Sequence, residues 1–215
     1  ARGVAILAVI VIHVTRLYPG EVLSIPQLSI DAINNLMRFA IAVFFISSGA
    51  LLTHPGWRAR ALGAFYLDKV VRLAIPYAIV VLALGFLAGS GPREMLIDLV
   101  TGNASVPFYF IIVLFQLYLI YPLLYPLARR RWFVYATLAF SLVAFLSPWS
   151  YYFADVPLFF RFLFFFAWGI YAGEMLREGR VSRAVWPWAT LGALFLLLMA
   201  LLPELERYYN FRPYY

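Results

Sequence analysis

The sequence predicts an all-α, polytopic integral membrane helix bundle, and three observations predict it. Of its 215 residues, 65% are hydrophobic and only 13% charged, with a mean hydropathy of +0.86. An ordinary soluble domain is roughly 45–50% apolar and about 25% charged. A soluble globule of this size cannot bury so much apolar surface, which excludes disorder, collagen-like structure and a soluble enzyme. Second, apolar runs close to the thickness of a bilayer recur along the chain, separated by short turn-like polar pieces. Third, positive charge is concentrated in alternate polar pieces.

A helix crosses the hydrocarbon core with about 20 apolar residues, in a range of roughly 17–25. Seven stretches qualify: Gly3–Tyr18, Ile33–Thr53, Val70–Ser90, Val106–Pro126, Trp132–Ser147, Leu158–Leu176 and Val185–Leu202. The pieces between them, Pro19–Asn35, His54–Asp68, Gly91–Ser105, Ala128–Arg131, Pro148–Pro157 and Arg177–Arg183, carry the expected breakers, such as Gly91-Pro92, Pro148 and Pro157. The first run opens on Ala-Arg-Gly with no initiator Met and no signal-peptide pattern. Residues 1–215 are therefore expected to be one transmembrane domain, incomplete at both ends.

Charge sets the orientation. One set of loops holds Arg58, Arg60, Lys69 and Arg72, then Arg129, Arg130 and Arg131, then Arg177, Arg180 and Arg183. The other holds Glu21 and Asp31, then Arg93, Glu94 and Asp98, then Asp155, then Glu204, Glu206, Arg207 and Arg212. The positive-inside rule makes the first set cytoplasmic, so the N-terminus is inside and the C-terminus outside. The net charge of +7 reflects this topology and not nucleic-acid binding, because the arginines sit in short loops. Trp132, Trp149, Tyr151, Tyr152, Trp186 and Trp188 fit interfacial belts. No cysteine is present, which excludes disulfides, thiolate zinc sites and thiol nucleophiles, and two histidines are too few for a His-based metal site.

Ionisable groups inside a bilayer are expensive and tend to mark function. The candidates are Arg2, His13, Arg16, Arg38, Arg72, Arg161 and Glu174. Arg72 and Glu174 lie near cytoplasmic ends, and Arg38 and Arg161 about one turn inside the outer ends, so snorkelling to headgroups explains each at least as well as function does. His13 stands out by its company. Arg2 and His13 are separated by about three helical turns plus some 20°, so they share a face about 16 Å apart along the axis, with Arg16 one turn further. That stripe points to a cavity, not to lipid. Phe44-Phe45-Ile46-Ser47-Ser48-Gly49 offers hydroxyls and a small residue, which also suit plain helix packing. Gln116 is a lone amide that also suits interhelical bonding. The catalytic vocabulary is His and Arg, supported by Ser and Gln; no phosphate-binding Gly loop, HExxH or Gly-x-Ser-x-Gly elbow occurs.

These residues resemble membrane acyltransferase family 3. Arg2-Gly3-Val4-Ala5-Ile6 running to His13 resembles that family's Arg, ten residues, then His. Phe44–Gly49 resembles its Phe-Phe-x-x-Ser-Gly, and Lys69-x-x-Arg72-x-x-x-Pro76 its basic pair before a proline. The run from Tyr109 to Pro122, with Asn35-Leu36-Met37-Arg38-Phe39, resembles the branch of intercellular polysaccharide adhesin modification proteins. The match covers most of residues 2–177. Family members have about ten spans, so the seven visible here suggest a fragment or a short member.

The resemblance implies transfer of an acyl group, usually acetyl, from cytoplasmic acyl-CoA to a hydroxyl of a cell-envelope polysaccharide, in the inner membrane of a bacterium. Arg2, Lys69 and Arg72 are then expected to hold the phosphates of CoA. His13 is expected to act as general base toward the sugar hydroxyl, or to carry the acyl group briefly itself. Ser48, Gln116 or Arg16 would stabilise the oxyanion, Arg2 counts with His13 among the catalytic residues, and Arg16, Arg38 and Arg161 would position the glycan. No permanently bound cofactor and no metal is expected. The rival class is a carrier or exporter that uses the same stripe without covalent chemistry. A seven-span retinal receptor is excluded, since the only lysine, Lys69, is in the cytoplasmic set.

Overall fold

The computed structural model describes residues 39–58, 61–105, 108–146 and 158–180, together with Leu7 and Val11. The chain divides into two compact units, Ala1–Phe44 with Glu178–Tyr215, and Phe45–Arg177. The second unit carries the architecture below. The described residues are helical or in turns, with no strand among them. Apart from Leu7 and Val11, the first expected span lies outside the described residues, as does the seventh.

The elements are α1 (Phe39–Leu52), a single turn α2 (Pro55–Arg58), α3 (Leu62–Leu87), α4 (Pro92–Thr101), α5 (Phe108–Ala128), α6 (Arg131–Leu146), a 3-10 turn (Phe159–Arg161) and α7 (Leu163–Arg177). Two of them, α3 and α5, are long and apolar enough to cross a membrane, while α1 and α6 are apolar but shorter. Successive long helices alternate in direction. Phe65 of α3 stacks on Tyr121 of α5, and Tyr77 of α3 meets Phe108, so these two are antiparallel. In α1, Phe45 packs on Phe110 and the Leu52 carbonyl accepts a bond from Tyr121, so α1 runs parallel to α5. Phe166 of α7 lies near Tyr118, and Glu174 near Tyr125, which makes α7 parallel to α5 as well. The core is aromatic and aliphatic: Phe45, Val81, Val113, Leu117, Phe166 and Ile170 are fully buried. Outward apolar side chains such as Ile79, Phe86, Leu87, Leu123 and Val143 are exposed, as a lipid-facing surface requires.

Three departures from the sequence expectation have physical causes. The third span was expected to start at Val70, yet α3 begins at Leu62 and takes in Asp68 and Lys69. Their charges are neutralised locally, so they do not break the helix. A π-helical turn, Val70–Ala74, interrupts α3. Lys69 and Tyr77 are eight residues apart, where two α turns take about 7. The wider turn absorbs the extra residue and keeps Phe65, Lys69, Tyr77, Val81 and Gly85 toward the interior. The segment Gly91–Ser105 was read as a loop, but most of it is the helix α4. Its start is fixed by Pro92 and by Glu94, whose carboxylate accepts a bond from the Gly91 N–H at 3.0 Å. Its end is closed by Gly102 at φ 76°. The Tyr77 hydroxyl, 3.1 Å from the carbonyls of both Asp98 and Leu99, ties α4 to α3.

The α1–α7 crossing is backbone against backbone. A Cβ on Gly49 would overlap the Phe166 carbonyl oxygen, and one on Gly169 the Ile46 carbonyl oxygen. A Cβ on Gly173 would lie 2.7 Å from the Thr53 hydroxyl and 2.9 Å from Ala50 Cα. This is the small-xxx-small device of membrane helices, from Gly169 and Gly173 on one side and Gly49 on the other.

Candidate functional site

Among the described residues, two polar clusters are set into this apolar unit. The first lies on α3. Asp68 bridges two cations, with Oδ1 2.8 Å from Arg72 Nε and Oδ2 3.7 Å from Lys69 Nζ. The Lys69 ammonium also sits over the rings of Tyr118, at 4.8 Å, and Phe65, at 5.3 Å. Its side chain is 12% exposed, and that of Asp68 11%. Cation–π contact and ion pairing together offset the loss of water around the ammonium. Arg72, in contrast, is 72% exposed although it lies ten residues, about 15 Å of rise, into α3. The partner ring, Tyr118, likewise lies ten residues, about 15 Å, from the Ala128 end of α5. The basic pair expected at a membrane mouth therefore lies along the lengths of the apolar helices α3 and α5, not at their first or last turn.

The wall beside this cluster is held by the loosened backbone of α5. Pro122 removes the amide that would bond the Tyr118 carbonyl, and a TM helix tolerates this when neighbours re-satisfy the ladder. Tyr66 donates to the adjacent Leu119 carbonyl at 2.9 Å.

The second cluster joins α5 and α7 at their C-terminal ends. Glu174 is almost fully buried. Tyr125 donates to its Oε1 at 2.6 Å, and Arg177 Nη2 donates to Oε2 at 2.6 Å. Arg129 Nε lies 3.8 Å from the same Oε2, with its guanidinium over the Tyr125 ring at 6.0 Å. Snorkelling to headgroups does not describe Glu174, because its carboxylate is turned inward and bonded.

The remaining expected site residues divide as follows. Ser48 is buried on α1, one turn from Phe45, whose ring packs between Phe110 and Phe162 at 4.9 Å from each. Gln116 Oε1 accepts the Phe159 N–H at 3.0 Å and so anchors the 3-10 turn to α5. Arg161 is half-buried on that turn, which Ser141 also holds by donating to the Phe160 carbonyl at 2.8 Å and accepting the Phe164 N–H at 3.2 Å. Arg2, His13, Arg16 and Arg38 lie outside the described residues. The sequence reading missed Asp68 as a partner of both cations and Tyr125 as the partner of Glu174. The i,i+4 spacing of Asp68 and Arg72 was the available signal.

Among the described residues, an all-helical unit with two helices long and apolar enough to cross a membrane and charged clusters along them fits a membrane-associated protein. The family follows from the whole length of the chain: residues 1–215 match the family model described as an acyltransferase domain (Acyl_transf_3). The chain belongs to acyltransferase family 3. No curated protein and no solved structure matches it.

Proposed function

We propose that this acyltransferase moves an acyl group, most simply acetyl, from cytoplasmic acyl-CoA to a hydroxyl of a cell-envelope or extracellular polysaccharide, as a multi-pass protein of the bacterial inner membrane. The observation that carries the reading is Arg72: a guanidinium exposed some 15 Å along an apolar membrane helix. Hydrocarbon would penalise that exposure by a few kcal/mol on insertion scales, about +2.5–3.5 for Arg at a helix centre. An anionic substrate with a long arm that reached this guanidinium would offset that cost. Arg72 binds phosphate oxygens, as guanidinium forks do well, and the family resemblance assigns the same role to Arg2. Lys69 adds a fixed positive charge beside Arg72, and Asp68 holds Arg72 in place.

His13 takes the proton of the sugar hydroxyl as its oxygen attacks the thioester carbonyl, a contribution of typically 10²–10⁴-fold. The C–S bond breaks, the imidazolium returns the proton to the leaving thiolate, and free CoA thiol departs. Transient acylation of His13 itself is the alternative course of the same transfer. Ser48, Gln116 or Arg16 stabilises the oxyanion, and Arg16, Arg38 and Arg161 orient the glycan. The test is release of CoA thiol from acetyl-CoA by the full-length protein in membranes, with an envelope glycan extract, beside His13→Ala. Thiol release and alkali-labile acetate on the glycan, both lost in His13→Ala, are expected. Glycan export with no thiol released would replace the enzyme by an exporter.

A further inference from the structure

Helix α5 is short of backbone bonds beside the Asp68 cluster. Proline has no amide hydrogen, so Pro122 cannot bond the Tyr118 carbonyl and Pro126 cannot bond that of Pro122. Two successive rungs of the ladder are missing over 118–126, in a helix whose Tyr118 ring lies 4.8 Å from the Lys69 ammonium. Such a helix is held by its neighbours or it bends. Tyr66 supplies a hold from α3, where its hydroxyl donates to the Leu119 carbonyl at 2.9 Å. Leu119 follows Tyr118 directly, and Tyr66 lies one turn from Lys69. The strut and the cation–π contact thus join the same turns of α3 and α5.

Asp68 is shared between two cations. Its Oδ1 lies 2.8 Å from Arg72 Nε, a hydrogen bond, while its Oδ2 lies 3.7 Å from Lys69 Nζ, too far for one. The rings of Tyr118 and Phe65 compete with the carboxylate for the ammonium. An ammonium that lost a ring would close on Asp68 and contend with Arg72 for it. Phe65 belongs to α3 itself, whereas Tyr118 stays under the ammonium only while α5 keeps its distance from α3. The Tyr66 bond spans that gap one residue away.

We propose that Tyr66 is a positioning residue: its bond to the Leu119 carbonyl keeps the Tyr118 ring under Lys69, and so leaves Asp68 to orient Arg72 for the acyl donor. The inference deepens the reading above and rests on it for the donor, while the placing of Lys69 stands apart from it. Tyr66 acts through Tyr118 and Asp68 and makes no contact with the donor itself.

The full-length protein in nanodiscs tests this with Tyr66→Phe, which keeps the ring and removes the hydroxyl. Tyr77→Phe is the control, since it removes a hydroxyl of the same helix that bonds the Asp98 and Leu99 carbonyls of α4. Steady-state thiol release gives KM for acetyl-CoA and kcat. Brief acetic anhydride labelling, read by mass spectrometry of the Lys69 peptide, gives the accessibility of an amine whose side chain is 12% exposed. Tyr66→Phe is expected to raise KM about threefold to tenfold, the worth of one neutral hydrogen bond, with kcat within about twofold because the loss is uniform binding. It is also expected to speed Lys69 labelling severalfold, and Tyr77→Phe to leave KM and labelling at the wild-type level. Tyr118→Leu should speed labelling too, and in that background the Tyr66 substitution should add nothing, because it acts through that ring. Faster labelling of Tyr66→Phe with KM unmoved, or with no thiol released by the wild type, upholds the placing of Lys69 and removes the donor reading at this site. Unchanged labelling in Tyr66→Phe overturns the proposal. So does an equal rise in Tyr77→Phe, which makes the effect general loosening, or an additive rise in the Tyr118→Leu background.

Discussion

Adding one methyl group at Gly169 tests the packing that holds α1 and α7 together. All three atoms nearest the new Cβ belong to the backbone of Ile46, so no side chain can swing aside. The helices must move apart by about 1 Å, and a gap of 0.5–1 Å forfeits a quarter to a half of each dispersion well along the seam. Overpacking of this kind costs about 1–3 kcal/mol. Gly→Ala within a helix recovers about 0.5–1 kcal/mol through propensity. With the backbone immovable, the upper part of the range applies, leaving a net loss of about 1–2 kcal/mol. Gly63→Ala is the matched control: that glycine is also helical, but nothing lies within 4 Å of its Cβ position, so only the propensity gain remains. Denaturant-dependent unfolding of the purified protein in detergent, followed by tryptophan fluorescence, reads both. Gly169→Ala should be less stable than wild type and Gly63→Ala as stable or more so. If the two variants shift together, the close crossing of α1 and α7 is refuted.

Three further outcomes are expected. Arg72→Gln should raise KM for acyl-CoA roughly 10–100-fold, matching about 1.5–3 kcal/mol for a charged hydrogen bond, with kcat within about twofold because the loss is uniform binding; steady-state thiol release measures the split. Gln116→Leu leaves the Phe159 N–H without its 3.0 Å acceptor and should cost about 1–3 kcal/mol of stability. A kcat fall of about 10²–10³ at unchanged stability would instead make Gln116 an oxyanion donor above all. Gly102→Ala forces a left-handed residue and sets a Cβ 2.9 Å from the Tyr109 amide nitrogen. It should cost about 1–2 kcal/mol and loosen α4, seen as faster amide exchange over 92–101.

The helical positions of the second, fourth and fifth spans were readable because hydrocarbon imposes a length and polar turns punctuate it. Helices α5 and α6 fall within two residues of those expectations at both ends, and α1 ends within one residue of the second span's expected end. Which face points inward was not readable, since a helix bathed in lipid is apolar all round and carries no amphipathic signal. Asp68 and Lys69 looked like loop residues because single charges mark turns in a soluble chain. Here they neutralise each other and Arg72 on one helix, and only three-dimensional contact with Tyr118 explains how a lysine lies so deep. Glu174 was noticed, but its burial depends on Tyr125, 49 positions away, and no local pattern announces that. The Gly169–Gly173 spacing, in contrast, was in plain view as a small-xxx-small pair. So were the start and stop signals of α4, obscured only by the low hydropathy of Arg93, Glu94 and Asp98.

The central claim is that an acyl group crosses from a cytoplasmic thioester to a glycan on the far side. Inside-out inner-membrane vesicles carrying the full-length protein test it most directly, with acyl-labelled acetyl-CoA supplied outside and envelope glycan enclosed in the lumen. The account predicts alkali-labile label on the enclosed glycan and an equal quantity of free thiol outside, both absent with His13→Ala. Glycan that crosses the bilayer unlabelled, with acetyl-CoA left intact, would contradict it.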